Sequence, residues 1–349
     1  GFLVKDGTLK LAYENPNSNE NTNRFAASTA ALTMAGGRLE LVGMDNVNWA
    51  GDDDRTNFPV PIGSPNENRV QQLLGQLTLS SGGSEIVVTG GSGTTTTLNL
   101  QNPADPKEVI RQPGATVHFV ENPQGTNSNV GITLSIPSFF QSTPLPWATY
   151  KDTSNLNSKG VNDFAAIEPF DDGIVSADDK FLYVIASDVS QWPSNQPVSE
   201  GAQPFFGSTA NLDTAVYLLR FFNKQAGTID VTGSLILSGG AILVGTNVGD
   251  TLKRIEGGAL TSSLYTDAST TDLIIHNYNP SRAFEIASQI IDSTKPVNLV
   301  HTGEGTTRLM SDNGYTGTTY LNGGVLRLSS ANALPGGIGA SGGISNLVL

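Results

Sequence analysis

The sequence predicts an all-β fold of the β-solenoid type, with a loop-rich middle region. Three observations support this prediction. A strand pattern broken by paired glycines recurs along the 349 residues, and helical periodicity is nearly absent. Charged residues make up 15% of the chain, against roughly 25% in average globular proteins. Gly, Ser, Thr and Asn take their place, which is typical of short strands joined by tight turns.

The recurring pattern consists of two alternating strands divided by a Gly-Gly break. It appears as LTMAGGRLEL (32–41), LTLSSGGSEIVV (77–88), LILSGGAILV (235–244) and YLNGGVLRL (320–328). Period-two alternation indicates that each strand has one buried face. The predicted corner glycines are Gly36, Gly37, Gly82, Gly83, Gly239, Gly240, Gly323 and Gly324.

Glycine at such a break supplies a backbone with positive φ, or lets two chain layers approach closely. In a hairpin the break would reverse the strand, and a set of ordinary hairpins in a sandwich or barrel is the alternative. In a solenoid it is a corner between stacked coils. Repetition of one corner pattern over most of the chain favours the solenoid.

Two segments carry weak helical signals, NRVQQLLGQL (68–77) and RAFEIASQIID (282–292), and both are predicted to be mainly strand. We expect three regions in order. Residues 1–136 form N-terminal solenoid coils, and residues 137–224 form an irregular decorated segment rich in proline and aromatic residues. Residues 225–349 form the C-terminal coils. The proline density of the middle region excludes long central strands there.

The stretch GYTGTTYLNGGVLRLSSANALPGG (314–337) resembles the autotransporter-associated β-strand repeat. Three other blocks resemble the very long verrucomicrobial and planctomycete proteins that carry this repeat: PWATY (146–150), GSLILSGGAILV (233–244) and GGALTSSLYTDASTTDLIIHNYN (257–279). The resemblance implies a right-handed parallel β-helix or similar solenoid. It also implies export to the cell surface or beyond.

Charge and composition exclude several classes of partner. The chain has 32 acidic and 19 Lys and Arg residues, a net charge of -13 and no basic cluster, which argues against nucleic acid and anionic membranes. No apolar run approaches the roughly 20 residues that span a bilayer, so this segment is not expected to insert into a membrane. The absence of cysteine removes disulfides, thiolate metal sites and cysteine nucleophiles.

Acidic pairs in glycine-containing loops are the candidate metal ligands. Asp171, Asp172, Asp178 and Asp179 could supply the hard oxygen ligands that Ca²⁺ requires. Their spacing matches neither the EF-hand nor the calcium-binding β-roll nonapeptide. Solvated turn residues are the alternative and the favoured interpretation. No cofactor is therefore expected, Ca²⁺ being the one that these loops could hold.

Catalytic chemistry has little support in the sequence. The three histidines, His118, His276 and His301, are far apart and are expected to pack in the coils or lie on the surface. No Gly-x-Ser-x-Gly pattern accompanies them. The loop carboxylates lack basic neighbours apart from Arg55 and Lys180, so a polysaccharide-active β-helix enzyme is the least favoured alternative. We predict that the protein is not an enzyme.

The two ends of the chain are apolar and strand-like, which predicts assembly. We expect pairing with further copies or with adjacent repeats of a longer chain through Leu3, Val4, Leu9, Leu11, Leu347, Val348 and Leu349. Gly1 is not a natural start, so the chain is expected to be processed or excised. The predicted function is an extracellular or cell-surface structural repeat protein that builds a fibre, sheath or surface layer. The alternative is an adhesin or glycan-binding passenger module.

Overall fold

The structure, a computed structural model, describes residues 1–13, 30–43, 69–100, 109–125, 128–134, 143–153, 162–167, 174–177, 182–209, 213–264, 269–335 and 347–349. Strands take up more than a third of the chain. Within those ranges, the helical elements are two three-residue 3-10 turns, Val189–Gln191 and Thr246–Val248. The predicted all-β class is confirmed. The first ambiguous segment, 68–77, is strand over most of its described length, whereas the second, 282–292, contains two short strands, Phe284–Ile286 and Gln289–Ile290.

The N-terminal half contains fourteen strands among the described residues. They are β1 Phe2–Lys5, β2 Thr8–Ala12, β3 Leu32–Ala35, β4 Arg38–Val42, β5 Arg69–Leu74, β6 Leu77–Ser81, β7 Gly83–Thr89, β8 Thr95–Leu100, β9 Ile110–Arg111, β10 Thr116–Asn122, β11 Asn129–Leu134, β12 Ala148–Asp152, β13 Asp163–Ile167 and β14 Ile174–Ser176.

These strands form three sheets. The first sheet has the order β1-β3-β6-β9, the second β14-β13-β12-β10-β7-β4-β2, and the third β11-β8-β5. The consecutive strands β6, β7 and β8 lie in sheets one, two and three, and β9, β10 and β11 repeat that course. The ladders β3–β6, β7–β10 and β8–β11 are all parallel. The chain therefore winds in stacked coils, which makes this half a parallel β-solenoid. The ladders β12–β13 and β13–β14 are antiparallel.

The C-terminal half contains thirteen strands among the described residues. They are β15 Val184–Ile185, β16 Pro197–Ser199, β17 Thr214–Phe221, β18 Gly227–Val244, β19 Lys253–Ser262, β20 Thr271–Asn277, β21 Phe284–Ile286, β22 Gln289–Ile290, β23 Val297–Thr302, β24 Thr306–Leu309, β25 Thr319–Leu321, β26 Val325–Leu328 and β27 Leu347–Val348.

The thirteen strands form one continuous sheet that wraps around the C-terminal coils. The long strand β18 pairs in parallel with β19 through its first part and with β20 through its last four residues. From there the sheet continues on one side through β21, β24 and β26, and on the other through β23, β25 and β27. All of these ladders are parallel, as a solenoid requires.

Ladders of like residues fill the interior of each half. In the N-terminal coils one ladder runs Leu9–Leu39–Ile86–Phe119–Tyr150. In the C-terminal coils another runs Ile229–Ile255–Ile286–Leu309–Leu328. Parallel in-register stacking places equivalent positions directly above one another. Alternation within each strand therefore becomes a continuous apolar core in each stack of coils.

A third apolar cluster joins the two halves, and we call this contact the seam. Its buried members are Phe164, Ala166, Ala177, Tyr183, Leu218, Ala241, Leu243, Ile274, Tyr278 and Val300. The strand β20 is buried at all seven positions, because Leu273 and Ile275 face its own coil while Ile274 faces the seam. The outer face of the second sheet thus packs against the C-terminal sheet.

The strands of the predicted middle region, 137–224, extend sheets on both sides of it. Its first strands, β12 to β14, belong to the second sheet, and β15 to β17 belong to the C-terminal sheet. The proposed division into three regions stays a prediction.

Candidate functional site

The predicted corner glycines lie between strands or, in β18, where the pairing partner changes from β19 to β20. Gly36 and Gly82 stand between strands of the first and second sheets, Gly240 lies inside β18, and Gly324 stands between β25 and β26. Their φ angles are +88°, +67°, +71° and +66°, so one residue of each predicted pair has the left-handed backbone that favours glycine. A Cβ atom on Gly324 would lie 2.4 Å from the carbonyl oxygen of Gly305 in the coil below.

The other sequence-predicted residues fall into two groups. The candidate calcium ligands Asp171, Asp172, Asp178 and Asp179 lie outside the described residues. Of the predicted assembly residues, Val4 and Leu11 are buried and Leu9 packs against the N-terminal core. Leu3 is 66% exposed, and Leu347, Val348 and Leu349 are exposed as well.

A cavity of about 160 Å³ opens at the seam between the two halves. The second sheet contributes Glu85 from β7 and His118 from β10, and the C-terminal sheet contributes His276 and Thr302 from β20 and β23. Tyr278 lies just after β20 on the same wall. The cavity therefore brings together two of the three histidines of the chain.

Strand register explains why these side chains are neighbours. Glu85, His118 and Thr149 are successive partners across the parallel ladders of β7, β10 and β12. His276 and Thr302 are partners across β20 and β23. Side chains in one register column lie on the same face of a sheet. Each wall of the cavity is thus one outward-facing column of a solenoid sheet.

His118 belongs to a partly buried polar chain that crosses the seam. Its Nδ1 lies 2.9 Å from Oγ1 of Thr149, and that oxygen lies 2.6 Å from the hydroxyl of Tyr278. The rings of His118 and Tyr278 are 5.1 Å apart between centroids. Burial lowers the pKa of His118 to about 3, with further lowering from the charges of Lys151 and other neighbours. The imidazole is therefore neutral at neutral pH.

His276 lies deeper and is only 1% exposed. Its Nε2 lies 2.8 Å from the carbonyl oxygen of Pro146. Because a carbonyl oxygen only accepts, Nε2 carries the proton and Nδ1 is left as an acceptor. Nδ1 is buried without a hydrogen-bond donor in the described part of the chain. Burial lowers the pKa of His276 to about 4, so this ring is also neutral at neutral pH.

The remaining polar groups of the cavity set its charge. The carboxylate of Glu85 forms an ion pair with Arg38, its partner in the adjacent strand. Asn322 donates hydrogen bonds of 2.7 Å to the carbonyl oxygen of Gly114 and of 3.1 Å to Oγ1 of Thr116. The Thr302 hydroxyl forms no hydrogen bond with the described residues. The site thus offers neutral hydrogen-bond donors and acceptors and one carboxylate, that of Glu85, whose charge is balanced by Arg38.

Metal binding has no support in the described ranges, where no group of three or more His, Cys, Asp or Glu residues could hold an ion. The third histidine, His301, is buried in its own coil. Its Nδ1 lies 2.8 Å from the carbonyl oxygen of Gly323 and its Nε2 lies 3.0 Å from Oγ1 of Thr307. His301 therefore has partners on both nitrogens and serves packing.

Sequence reasoning treated the histidines as separate and did not anticipate the cavity. One signal was present, because TDLIIHN (271–277) runs apolar without alternation around Ile274 and Ile275. A strand without polar alternation is typical of one that is buried on both faces. That pattern could have indicated a second packing partner for β20. It could not have shown that the partner is the column that contains His118.

Comparison with known proteins gives one informative similarity. The chain is 26% identical over 347 residues to the adhesin BmaC autotransporter of Brucella suis biovar 1 (strain 1330). The alignment covers 97% of this chain and 8% of the length of that relative. No protein-family model and no solved structure matches the chain. The similarity supports a relationship to autotransporter proteins and does not reach the finer verrucomicrobial repeat type.

Within the described ranges, no helix has the length and apolar composition needed to cross a membrane.

Proposed function

We propose that this chain is a module of a cell-surface adhesin, exported by an autotransporter-related system and exposed outside the cell. The observation that carries the proposal is its similarity, over 97% of its length, to an autotransporter adhesin. The finer resemblance to the autotransporter-associated repeat at 314–337 supports the same assignment. In this proposal the protein binds a surface ligand and has no enzymatic activity.

The fold suits this role because its binding groups lie on a rigid scaffold. Ladders, most of them parallel, hold the inner strands of each sheet on both sides, and the interior apolar columns fix the spacing of successive coils. A site built on strands keeps its geometry better than one built on mobile loops. One of the unpaired buried polar atoms of the described residues, Nδ1 of His276, belongs to an outward-facing column at the seam.

Fibre formation is a second candidate, and exposed apolar side chains at sheet edges favour it. Leu3 in β1, Val325 in β26 and Leu347 in β27 are 66%, 53% and 50% exposed. Edge strands with apolar side chains are places where another chain can add. A polymer would show as a concentration-dependent rise in mass by light scattering. A monomer mass that stays constant with concentration would contradict fibre formation and leave the adhesin as the sole candidate function.

Surface display tests the adhesin proposal. The chain is expressed on a non-adherent bacterium, and the cells retained on a layer of cultured eukaryotic cells are counted after washing. We expect retention well above the empty display strain, and soluble chain in excess should compete it away.

A matched control is Phe119→Asp, which places a charge in the N-terminal core, where Phe119 is fully buried. Display levels are equalised with a tag antibody. The proposal would be overturned if cells that display the wild-type chain were retained no better than the empty display strain. Release of reducing or unsaturated sugar from polysaccharide would instead support the enzyme alternative.

A further inference from the structure

We propose that the seam cavity binds one neutral sugar ring, such as the terminal residue of a surface glycan. The inference deepens the proposed adhesin function and rests on it. Three features of the cavity carry the inference: an unsatisfied buried acceptor, a lining whose one carboxylate is paired with Arg38, and a volume of about 160 Å³.

The unsatisfied acceptor is Nδ1 of His276. Buried polar atoms in native proteins nearly always have a partner, and one that lacks a partner requires an explanation. An acceptor left buried and unpaired destabilises the folded state. Thr302, the register neighbour of His276 on β23, adds a hydroxyl that forms no hydrogen bond with the described residues. A ligand that carries hydroxyl groups supplies a hydrogen-bond donor to Nδ1 of His276 and a partner to the hydroxyl of Thr302.

The charge of the lining selects a neutral ligand. Both imidazoles are neutral at neutral pH, and the carboxylate of Glu85 is paired with Arg38. Among the described residues that line the cavity, none is Lys or Arg. An anion such as a uronate or a phosphate would find no cation among these lining residues, because the Arg38 cation already forms an ion pair with Glu85. The described lining likewise lacks the ligand set of a metal ion.

Size and shape restrict the ligand to one ring. The cavity has a volume of about 160 Å³. Pockets for drug-sized ligands are larger, about 300–1,000 Å³. The rings of Tyr278 and His118 form a wall that presents apolar faces beside polar edges. A pyranose matches this wall, because its C–H faces are apolar and its equatorial hydroxyls are polar edges.

Nitrogen NMR of the three histidines tests the inference on the intact chain. The chain is labelled with ¹⁵N and titrated separately with D-glucose, D-galactose and N-acetyl-D-glucosamine. At least one sugar should move the Nδ1 signal of His276 saturably. The signals of His301 should stay in place, because both of its nitrogens already have partners. D-glucuronate should bind at least 10-fold more weakly than the corresponding neutral sugar.

Substitutions give a second readout. Thr302→Val keeps the side-chain shape and removes the hydroxyl, so affinity should fall about 5- to 10-fold, the effect of one net hydrogen bond. The matched control is Thr33→Val in β3 of the first sheet, away from the cavity lining, which should leave affinity unchanged. The melting temperature of each variant shows whether it is folded.

Two results would overturn the inference. One is the absence of any saturable shift of His276 with the three sugars, which would assign the cavity to ordered water. The other is equal affinity of the wild-type chain and a folded Thr302→Val variant. Cells that display the chain and still adhere would then keep the adhesin proposal intact. Sugar binding without adhesion would instead contradict the proposed function alone.

Discussion

Nη2 of Arg111 in β9 lies 2.5 Å from Oδ2 of Asp272 in β20, so a buried ion pair joins the N-terminal coils to the C-terminal coils. The same carboxylate accepts hydrogen bonds of 2.9 Å from the backbone N–H of Gly114 and 2.8 Å from Nδ2 of Asn298. The Asp272 side chain is fully buried. The Asp272 carboxylate therefore accepts from donors of both halves, and the ion pair is a buried polar contact across the seam.

Asp272→Ala should strongly destabilise the protein, because it leaves the Arg111 cation buried without a partner. Breaking one side of a buried ion pair costs about 3–5 kcal/mol. Urea unfolding measured by circular dichroism would give the change in the free energy of unfolding. The control is Asp250→Ala. The Asp250 side chain is 81% exposed, and its ion pair with Arg282 is long, at 3.8 Å. Equal midpoints for the two variants would show that the seam ion pair contributes nothing.

Stability should decrease as the pH falls from 6.5 toward 4. His118 and His276 have folded-state pKa values of about 3 and about 4, lowered chiefly by burial. Unfolding raises these values toward the ordinary histidine pKa of about 6.5. The unfolded chain therefore binds more protons than the folded chain in this window, so the free energy of unfolding decreases as the pH decreases. Burial lowers the pKa of His301 as well, which acts in the same direction.

Glu121 should oppose this effect, which gives a sharper test. Burial raises the pKa of Glu121 to about 7, while its hydrogen bonds from Tyr150 and Ile132 act in the other direction. The folded state therefore holds one extra proton on Glu121 between about pH 7 and the ordinary Glu value of about 4.3. Glu121→Gln removes this proton, so the free energy of unfolding should fall more steeply as the pH falls. The slope should increase by about 1.4 kcal/mol per pH unit, the value for one proton. Unfolding curves at pH 5 and 6 that keep the wild-type slope would contradict the assignment.

Phe119→Ala should destabilise the N-terminal coils. Phe119 is fully buried in the ladder between Ile86 and Tyr150. Truncating a buried Phe costs about 3–5 kcal/mol through lost transfer energy and a residual cavity. Phe206→Ala is the control, since Phe206 is 49% exposed and its truncation should change the melting temperature little. A small effect at both positions would argue against the stacked core.

Gly324→Ala should cost more than Gly7→Ala, although both glycines have positive φ. The φ angles are +66° for Gly324 and +75° for Gly7, so both substitutions carry similar backbone strain, about 1–2 kcal/mol. At Gly324 the new Cβ would also meet the carbonyl oxygens of Gly305 and Gly303 at 2.4 and 2.7 Å, whereas at Gly7 it meets nothing within 4 Å. Thermal unfolding of the pair separates close coil packing from backbone strain. Identical melting temperatures would exclude the close packing.

The sequence predicted the fold class because solenoid information is local. Alternation in LTLSSGGSEIVV and its relatives marks the buried face of each strand, and the glycines mark breaks between strands or changes of pairing partner. Repetition of such units makes the stacking predictable without knowledge of distant contacts.

The seam could not be predicted in the same way. Thr149 meets Tyr278 across 129 residues, and Arg111 meets Asp272 across 161. The strand pairing that aligns His118 with Glu85 also depends on loop lengths that vary from coil to coil. Such non-local pairings leave no periodic trace in one sequence, apart from the apolar run Leu273–Ile275 in β20.

Saturable binding of the purified chain to cells is the most direct test of its assignment as an adhesin module. Labelled chain, shown to be monomeric by light scattering at the working concentration, is added to fixed cultured eukaryotic cells over a range of concentrations. We predict a binding curve that saturates, is displaced by unlabelled chain and is absent for Phe119→Asp. Binding that rises without saturation, or that is equal for the Phe119→Asp variant, would contradict the assignment.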